Sequence, residues 1–290
     1  MTRRSPLPTR TPPAAQRRPA RIVRMLLSGL LALALLLGVG VGVGVGLGTG
    51  AALAAEAADH QRLFEQALEA SRQGRFAEAL PLWDQVLALA PDDAAAWSNR
   101  GNVRLALGDA EAAIADQSRA AELDPSSPDP HLNRGTAEEA LGRWDAAAAD
   151  YAWILDRDPG DASALYNLGN VRGSQGDWAA ARASFEAAAA ARPGFAMARS
   201  SAALAAFQLG DLASAEQALR SLIRRYPLFA DARAGLTALL WHQGSRGEAE
   251  SNWAAASGLD PRYRQEEWLR QTRRWPPGPV EALRQFLALA

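Results

Sequence analysis

The sequence predicts an all-α solenoid, and two observations carry this prediction. Six prolines follow one another at intervals of 34 residues: Pro91, Pro125, Pro159, Pro193, Pro227 and Pro261. A glycine stands 17 residues before each proline, and an alanine stands five residues after each glycine. Repeat periods of roughly 20–50 residues are typical of architectures that stack one structural unit on the next.

The composition favours helices and removes several classes of site. All 31 basic residues are arginines, and alanine, leucine, glutamate and arginine, which are good helix formers, are abundant. Cysteine is absent from the sequence, which excludes disulfide frameworks, thiolate nucleophiles and thiolate metal sites. Residues 1–55 contain seven arginines and no acid, so the remaining 24 arginines face 32 acids and give a net charge of −8. Such an acidic body is a poor match for nucleic acid.

The N-terminal residues have the order of an export signal. Residues 1–24 are rich in arginine and proline and are predicted to be disordered, and Leu26–Gly48 carries no charge. The small-x-small sequence Ala52-Leu53-Ala54 follows, as at a signal cleavage site. The apolar stretch is also long enough to span a bilayer, which takes about 20 residues. Segment 25–54 is therefore either a signal peptide cleaved after about Ala54 or a retained anchor, and both place the following residues across the membrane, in a periplasm or thylakoid lumen.

Six units of 34 residues fill residues 60–263. Positions are counted so that the proline is position 32, which gives units 60–93, 94–127, 128–161, 162–195, 196–229 and 230–263. Positions 1–14 predict a first helix that ends at the glycine, and positions 18–30 predict a second helix that ends before the proline. Position 8 is small in every unit and position 24 is large and apolar in five, with Gln117 as the exception. Small residues at positions 8 and 20 are expected to let the two helices of a unit approach closely, and the large residue at position 24 is expected to fill the groove to the neighbouring unit.

This pattern resembles the tetratricopeptide repeat (TPR) family. The resemblance is strongest in the fourth unit, through Leu168, Gly169, Gly176, Trp178, Ala181, Phe185, Ala188 and Pro193. It implies a right-handed α-solenoid of six helix-turn-helix repeats whose first helices line a concave groove. It also implies a protein or peptide partner, with no cofactor and no small-molecule substrate.

Residues 264–290 depart from the repeat and are predicted to cap the sixth unit. They contain Arg273-Arg274-Trp275-Pro276-Pro277 and a last helix from Val280 to Leu289. A stacked array needs such a cap, because its final unit has no neighbour to cover its apolar face. The Arg-Arg-Trp-Pro-Pro segment behind an export signal is also similar to thylakoid-lumen TPR proteins of cyanobacteria and plastids.

Five asparagines fall at positions 6 and 9, which face the groove in TPR proteins. They lie in the second to fourth units, with Tyr166 beside them at position 5: Asn99, Asn102, Asn133, Asn167 and Asn170. An amide side chain both donates and accepts hydrogen bonds, so these residues predict a site for the main chain of an extended peptide. The alternative is that they bond to neighbouring helices.

The groove becomes apolar toward the C-terminus, where Leu204, Phe207 and Trp241 occupy positions 9 and 12. This stretch is either a pocket for a hydrophobic partner or the seat of the C-terminal helix, with Trp268, Trp275 or Phe286 folded back into it. Self-capping is the favoured interpretation.

No catalytic or metal-binding pattern emerges. The histidines His60, His131 and His242 lie in different units without metal-ligand spacing, and phosphate-loop, dinucleotide and nucleophile-elbow motifs are absent from the sequence. The acid pair Glu138-Glu139 is expected on a solvated face, and Arg104, Glu138 and Arg172 at position 11 are expected to form a ladder of salt bridges between units.

The predicted function is therefore that of a non-enzymatic scaffold or assembly factor, exported or tethered to a membrane, which binds an extended peptide. The alternative is a structural, self-associating subunit of a membrane complex without a groove ligand. In that alternative Trp153, expected on the convex side, provides the contact surface.

Overall fold

The computed structural model of the protein describes residues 46–289, with side-chain surroundings from Ala54 onward. These residues form fourteen α-helices and one 3-10 helix, Pro261–Arg264, and contain no strand. The α-helices are α1 (Gly46–Arg72), α2 (Phe76–Leu89), α3 (Ala94–Ala106), α4 (Ala110–Leu123), α5 (Asp129–Ala140), α6 (Trp144–Leu155), α7 (Ala162–Ser174), α8 (Trp178–Ala191), α9 (Ala196–Gln208), α10 (Leu212–Arg225), α11 (Ala230–His242), α12 (Arg246–Leu259), α13 (Glu266–Gln271) and α14 (Pro277–Leu289).

Residues 56–290 form one compact unit, in which the helices stack in consecutive pairs. The first helix of each repeat packs on its second helix, which in turn packs on the first helix of the next repeat. The first helices of successive units also contact each other along the stack. Examples are the contacts of α3 with α5 and of α9 with α11. They therefore share one surface, called the inner face below. The predicted all-α solenoid is confirmed.

The repeated glycines end the first helices as expected. All six have positive φ, between 70° and 89°, in the left-handed region where other residues are strained. At Gly108 the amide N–H donates to the Leu105 carbonyl, and the next amide, of Asp109, donates to the Arg104 carbonyl at 2.9 Å. This arrangement satisfies carbonyls that the helix end would otherwise leave open. The glycine therefore sets the turn into the second helix.

The small residue at position 8 allows the helices of a pair to pack closely. A Cβ added to Gly169 would lie 2.5 Å from the Phe185 ring, and one added to Gly135 would lie 2.6 Å from the Tyr151 ring. In the second unit the large apolar residue is replaced by Gln117, which is buried and donates to the Ser98 carbonyl at 2.8 Å. The exception at position 24 is thus a polar contact in the same place, made through the amide nitrogen, while the buried Oε1 of Gln117 has no hydrogen-bond partner among the described residues.

The salt-bridge ladder predicted at position 11 is wrong. Arg104 pairs with Asp116 of its own unit, and Arg172 donates to Ser184. Ion pairs instead join position 7 on a first helix to a buried acid at position 23 on the second, as in Arg100–Asp116. The equivalent pair in the third unit is Arg134–Asp150. Positions 7 and 11 both face the second helix of their own unit, so their arginines pair within the unit and not with the neighbouring repeat.

The C-terminal residues fold back onto the solenoid. Helix α14 packs against α11 and α9, and its Val280, Leu283 and Phe286 are buried. The Phe286 ring meets the edge of Trp241 at 5.6 Å and of Trp253 at 5.9 Å between ring centroids. Of the two alternatives for the apolar end of the groove, the structure shows self-capping. Leu204 and Phe207 are buried in the same cluster, with Trp241 packed at its edge.

Because the two helices of a unit pack closely, adding one methyl group to a glycine at position 8 should destabilise the folded protein. We expect Gly169→Ala to lower the free energy of unfolding by about 1–2 kcal/mol, because overpacking costs about 1–3 kcal/mol and alanine recovers only about 1 kcal/mol of helix propensity. Gly247→Ala is the matched control, since Gly247 lies in α12 with no atom within 4 Å of an added Cβ. This variant should be neutral or slightly more stable. Thermal unfolding followed by circular dichroism measures both variants, and a stable Gly169→Ala protein would contradict the packing.

The cap predicts a second stability difference. Phe286→Ala should cost about 3–5 kcal/mol, because the ring is 1% exposed and packs on two tryptophans. Leu289→Ala, at a side chain that is 77% exposed, should cost less than about 0.5 kcal/mol. Equal melting temperatures for the two variants would mean that α14 does not close the solenoid.

Candidate functional site

The inner-face asparagines of the second and third units make hydrogen bonds within the solenoid and keep part of each amide free. Asn99 donates to the Ala95 carbonyl of its own helix at 2.9 Å. Asn102 accepts from Gln117 at 3.0 Å, and Asn133 donates to the Ser98 hydroxyl of the preceding unit at 3.2 Å. Each side chain has two polar ends, so the other end of each amide is available to a ligand.

The predicted site residues of the fourth unit are placed differently. Tyr166 packs against Phe185 and Phe195, with ring centroids 5.4 and 5.0 Å away. Asn167 is half-buried and makes no side-chain hydrogen bond to any residue that the structure describes. Asn170 lines a cleft of about 190 Å³ whose other wall includes Trp275. The predicted site residues thus occupy equivalent positions in successive repeats, but their side chains are not equally accessible to a ligand.

A non-helical segment between α13 and α14, Arg273–Pro276, lies on the inner face and is called the strap below. Arg273 donates to Asp231 of α11 through Nε at 3.0 Å and Nη2 at 2.7 Å. The Trp275 indole donates to the same carboxylate oxygen at 3.1 Å. Asp231 is 1% exposed and occupies position 2 of the sixth unit. A buried acid on the inner face thus holds the strap at Arg273 and at Trp275, on either side of Arg274.

The pKa values around Asp231 show how strongly these groups are coupled. Burial lowers the pKa of Arg273, but the charge and hydrogen bond of Asp231 act in the opposite direction together with Tyr263 and Tyr166, and the net effect raises that pKa above its ordinary value. Burial and the charge of Asp231 together raise the pKa of Tyr263, whose hydroxyl donates to Asp231 at 2.8 Å. Arg273 is therefore charged and Tyr263 neutral at every physiological pH.

The next strap residue, Arg274, reaches much further along the inner face. It pairs with Glu139 of α5, in the third unit, where Glu139 occupies position 12. Glu139 is 5% exposed, and the Tyr151 hydroxyl donates to its other oxygen. Burial raises the pKa of Glu139, while the charge of Arg274 acts in the opposite direction. Removing the partner of a buried ion typically costs about 3–5 kcal/mol.

The helix that follows the strap is held through its main chain. The amide N–H of Gly278, at the start of α14, donates to the Gln208 side chain at 2.7 Å. Gln208 occupies position 13 of the fifth unit, and Met197, at position 2 of that unit, contacts Arg273. The inner face of the third to sixth units therefore binds the non-helical strap by pairing its arginines, and it accepts one backbone N–H from the first turn of α14.

Sequence reasoning missed the acids that hold the strap. Glu139, expected on a solvated face, is buried, because position 12 of a first helix turns toward the inner face and the strap covers it. No role was predicted for Asp231 from the sequence. The available signal was that acids stand at two inner-face positions while a pair of adjacent arginines follows the last repeat.

Trp153, expected as a convex contact surface, is half-buried rather than free. Its ring stacks on His131 at 3.7 Å between centroids, and the guanidinium of Arg157 lies 3.6 Å from its other side. His131 is in turn bonded to Asp150 at 2.9 Å. These contacts give Trp153 a packing role within its own unit.

Between residues 46 and 289 no group of three acidic or histidine side chains is arranged to hold a metal ion. Over the same range no helix has both the length and the hydropathy to cross a bilayer. The predicted signal or anchor, Leu26–Gly48, lies outside the described residues except for its last three.

Comparison with known proteins agrees with the architecture. No curated protein sequence matches the chain. Among solved structures, the chain is similar to the APC/C hetero-tetramer Cut9–Hcn1, with 16% identity and a TM-score of 0.62 over 79% of this chain and 43% of that chain. It is similar to PilF of Pseudomonas aeruginosa, with 17% identity and a TM-score of 0.60 over 71% of this chain and 94% of that chain.

A third similar structure is a tetratricopeptide repeat protein from Parabacteroides merdae ATCC 43184, with 16% identity and a TM-score of 0.58 over 79% of this chain and 99% of that chain. At these identities the structures show the fold alone. None of the three is described as a thylakoid protein, so the second resemblance gains no support from them.

The family model described as tetratricopeptide repeat matches residues 64–128, 132–196, 166–227 and 200–263. These matches cover more than half of the chain and coincide with the stacked helix pairs. The protein belongs to the tetratricopeptide repeat family.

Proposed function

We propose that the protein is a non-enzymatic scaffold or assembly factor whose inner face binds an extended segment of a partner protein. The observation that carries this proposal is the strap, a non-helical segment held on the inner face by side chains of the third, fifth and sixth units. The same surface continues from Glu139 toward the N-terminus, over the start of α5 and the first two units, where the strap makes no hydrogen bond or ion pair with the residues that the structure describes. A partner segment there would meet the amides of Asn99, Asn102 and Asn133.

The mechanism is binding alone. The free ends of the asparagine side chains hydrogen-bond to the main chain of the partner and set its register. The Gly278 amide bonded to Gln208 is an example of main-chain recognition on this surface. Because the stacked helices are rigid, the solenoid itself loses little conformational entropy on binding, which lowers the entropic cost of association. Family membership favours a protein partner, since TPR units generally act in protein–protein contacts.

We also propose that the repeats work on the non-cytoplasmic side of a membrane. The support is the sequence order of residues 1–56: arginines, an uncharged apolar stretch, a small-x-small site and then the first acid, Glu56. A cleaved signal gives a soluble exported scaffold, and a retained segment gives a tethered one.

The asparagine site predicts a selective loss of partners. We expect the double variant Asn133→Ala/Asn167→Ala to capture markedly less of the partner proteins that wild type captures from solubilised membranes. The control is Asn252→Ala, on the second helix of the sixth unit, where the side chain bonds only to the Glu248 carbonyl at 2.9 Å. Quantitative mass spectrometry of the captured proteins measures both. An unchanged set of partners with the double variant would show that the asparagines are structural.

The export proposal predicts the mature N-terminus. Intact mass of the protein purified from its native cells should show either a start near residue 55 or a full-length chain recovered in the membrane fraction. A full-length chain recovered free in the cytoplasm would contradict both forms of the proposal.

A further inference from the structure

We propose that Glu139 is a socket for an arginine side chain, filled in the free protein by Arg274 and in the complex by an arginine of the partner segment. This inference rests on the proposed function and deepens it, because it gives the partner a chemistry: an extended, arginine-containing polypeptide segment. The remainder of the strap stays in place when the exchange occurs.

The socket is built by groups that do not belong to the strap. Glu139 is 5% exposed on α5, and one of its oxygens accepts from the Tyr151 hydroxyl. Tyr151 itself is fully buried beneath Gly135 of the same unit. A guanidinium on the remaining oxygen of this carboxyl group provides both an opposite charge and directed N–H donors, which together stabilise its ionised form. The geometry therefore selects arginine over an uncharged side chain.

Arg274 is a replaceable occupant of this socket. Its backbone has a φ of 53°, in the left-handed region, and it is the only non-glycine residue with positive φ among residues 46–289. Such a conformation is strained for arginine and persists only where the surroundings impose it. Arg274 also keeps 29% of its side chain exposed, whereas Arg273 keeps 12%. The less buried arginine of the pair is the one in the strained conformation.

The strap does not depend on Arg274 for its position. Arg273 and Trp275, on either side, are bonded to Asp231, and α14 is buried against α11. Among the hydrogen bonds and ion pairs of the described residues, the Arg274–Glu139 pair is the only one that joins the C-terminal residues to the first three units. Exchange of this single side chain would therefore leave the cap intact.

Glu139 marks the boundary between the covered and the free parts of the inner face. At positions 2, 5, 6, 9, 12 and 13 of the first three units, the acids other than Glu139 are Glu65 and Asp129, and the one cation is Arg72. Asn133 lies on the same helix as Glu139, one repeat from the Ser98 hydroxyl to which it donates. A basic segment entering the socket would thus continue along the asparagines, over a surface of favourable charge.

The test uses the full chain in detergent and a fluorescein-labelled peptide with the sequence of residues 270–279. Arg274→Gly vacates the socket and preserves the strap, because glycine adopts a φ of 53° without strain. We expect this variant to bind the peptide at least about tenfold more tightly than wild type in fluorescence anisotropy, a difference of about 1.4 kcal/mol. Adding Glu139→Gln to Arg274→Gly should abolish the gain.

The matched control is the same peptide with its three arginines replaced by glutamine, which should bind no variant measurably. Equal affinity of wild type and Arg274→Gly, absence of binding to both, or a gain that survives Glu139→Gln would each overturn the socket. Circular dichroism melting of each variant shows that the solenoid remains folded. If the socket fails while the Asn133→Ala/Asn167→Ala variant still loses its partners, the peptide-binding function stands and only the arginine preference is wrong.

Discussion

The structure depends on one constraint: the last units of a stacked solenoid have apolar faces that nothing in the repeat itself can cover. In this protein the inner face of the fifth and sixth units is apolar, with Leu204, Phe207 and Trp241 where the middle units have polar residues. Helix α14 buries that face with Phe286 and Leu283. Burial of such side chains stabilises by about 1.5–3 kcal/mol each, so the cap is part of the core rather than an addition to it.

Covering the end also brings the strap onto the inner face. Because α14 must lie against α9 and α11, the residues that connect it to α13 have to cross the surface that the first helices share. Two buried acids bind the residues of this connecting segment. Asp231 binds Arg273 and Trp275, and Glu139 binds Arg274. A requirement of stability has thus produced a bound peptide-like segment, and its contacts indicate what the remaining inner face can hold.

The sequence predicted the architecture well because the repeat constrains it six times over. The period, the glycine turns and the small residue opposite a large one are local rules, and each is visible at fixed positions such as Gly169 and Phe185. The strap contacts could not be predicted in the same way. The Arg274–Glu139 pair joins residues 135 apart in sequence, and no repeat relates them. Only the path of the chain between α13 and α14 determines which acid each arginine meets.

The asparagines were identified from their repeat positions, but their hydrogen bonds were not. Asn133 bonds to the preceding unit and Asn102 to Gln117, because the unusual glutamine at position 24 places an amide beside it. The repeat positions were therefore enough to predict that these asparagines lie on the inner face. They did not determine which of the amide groups are already hydrogen-bonded within the solenoid.

The central claim is that the inner face holds a non-helical segment of polypeptide, and hydrogen exchange of the Trp275 amide in the strap and the Gly278 amide at the start of α14 tests it most directly. In the structure the Trp275 amide donates to the Leu269 carbonyl at 3.0 Å, and the Gly278 amide donates to Gln208 at 2.7 Å. If the strap is seated as described, both amides should exchange as slowly as the core of α11 and only through larger opening events. Exchange of both amides at the rate of a free peptide, with α11 still protected, would show that the inner face does not hold the strap and would contradict the account.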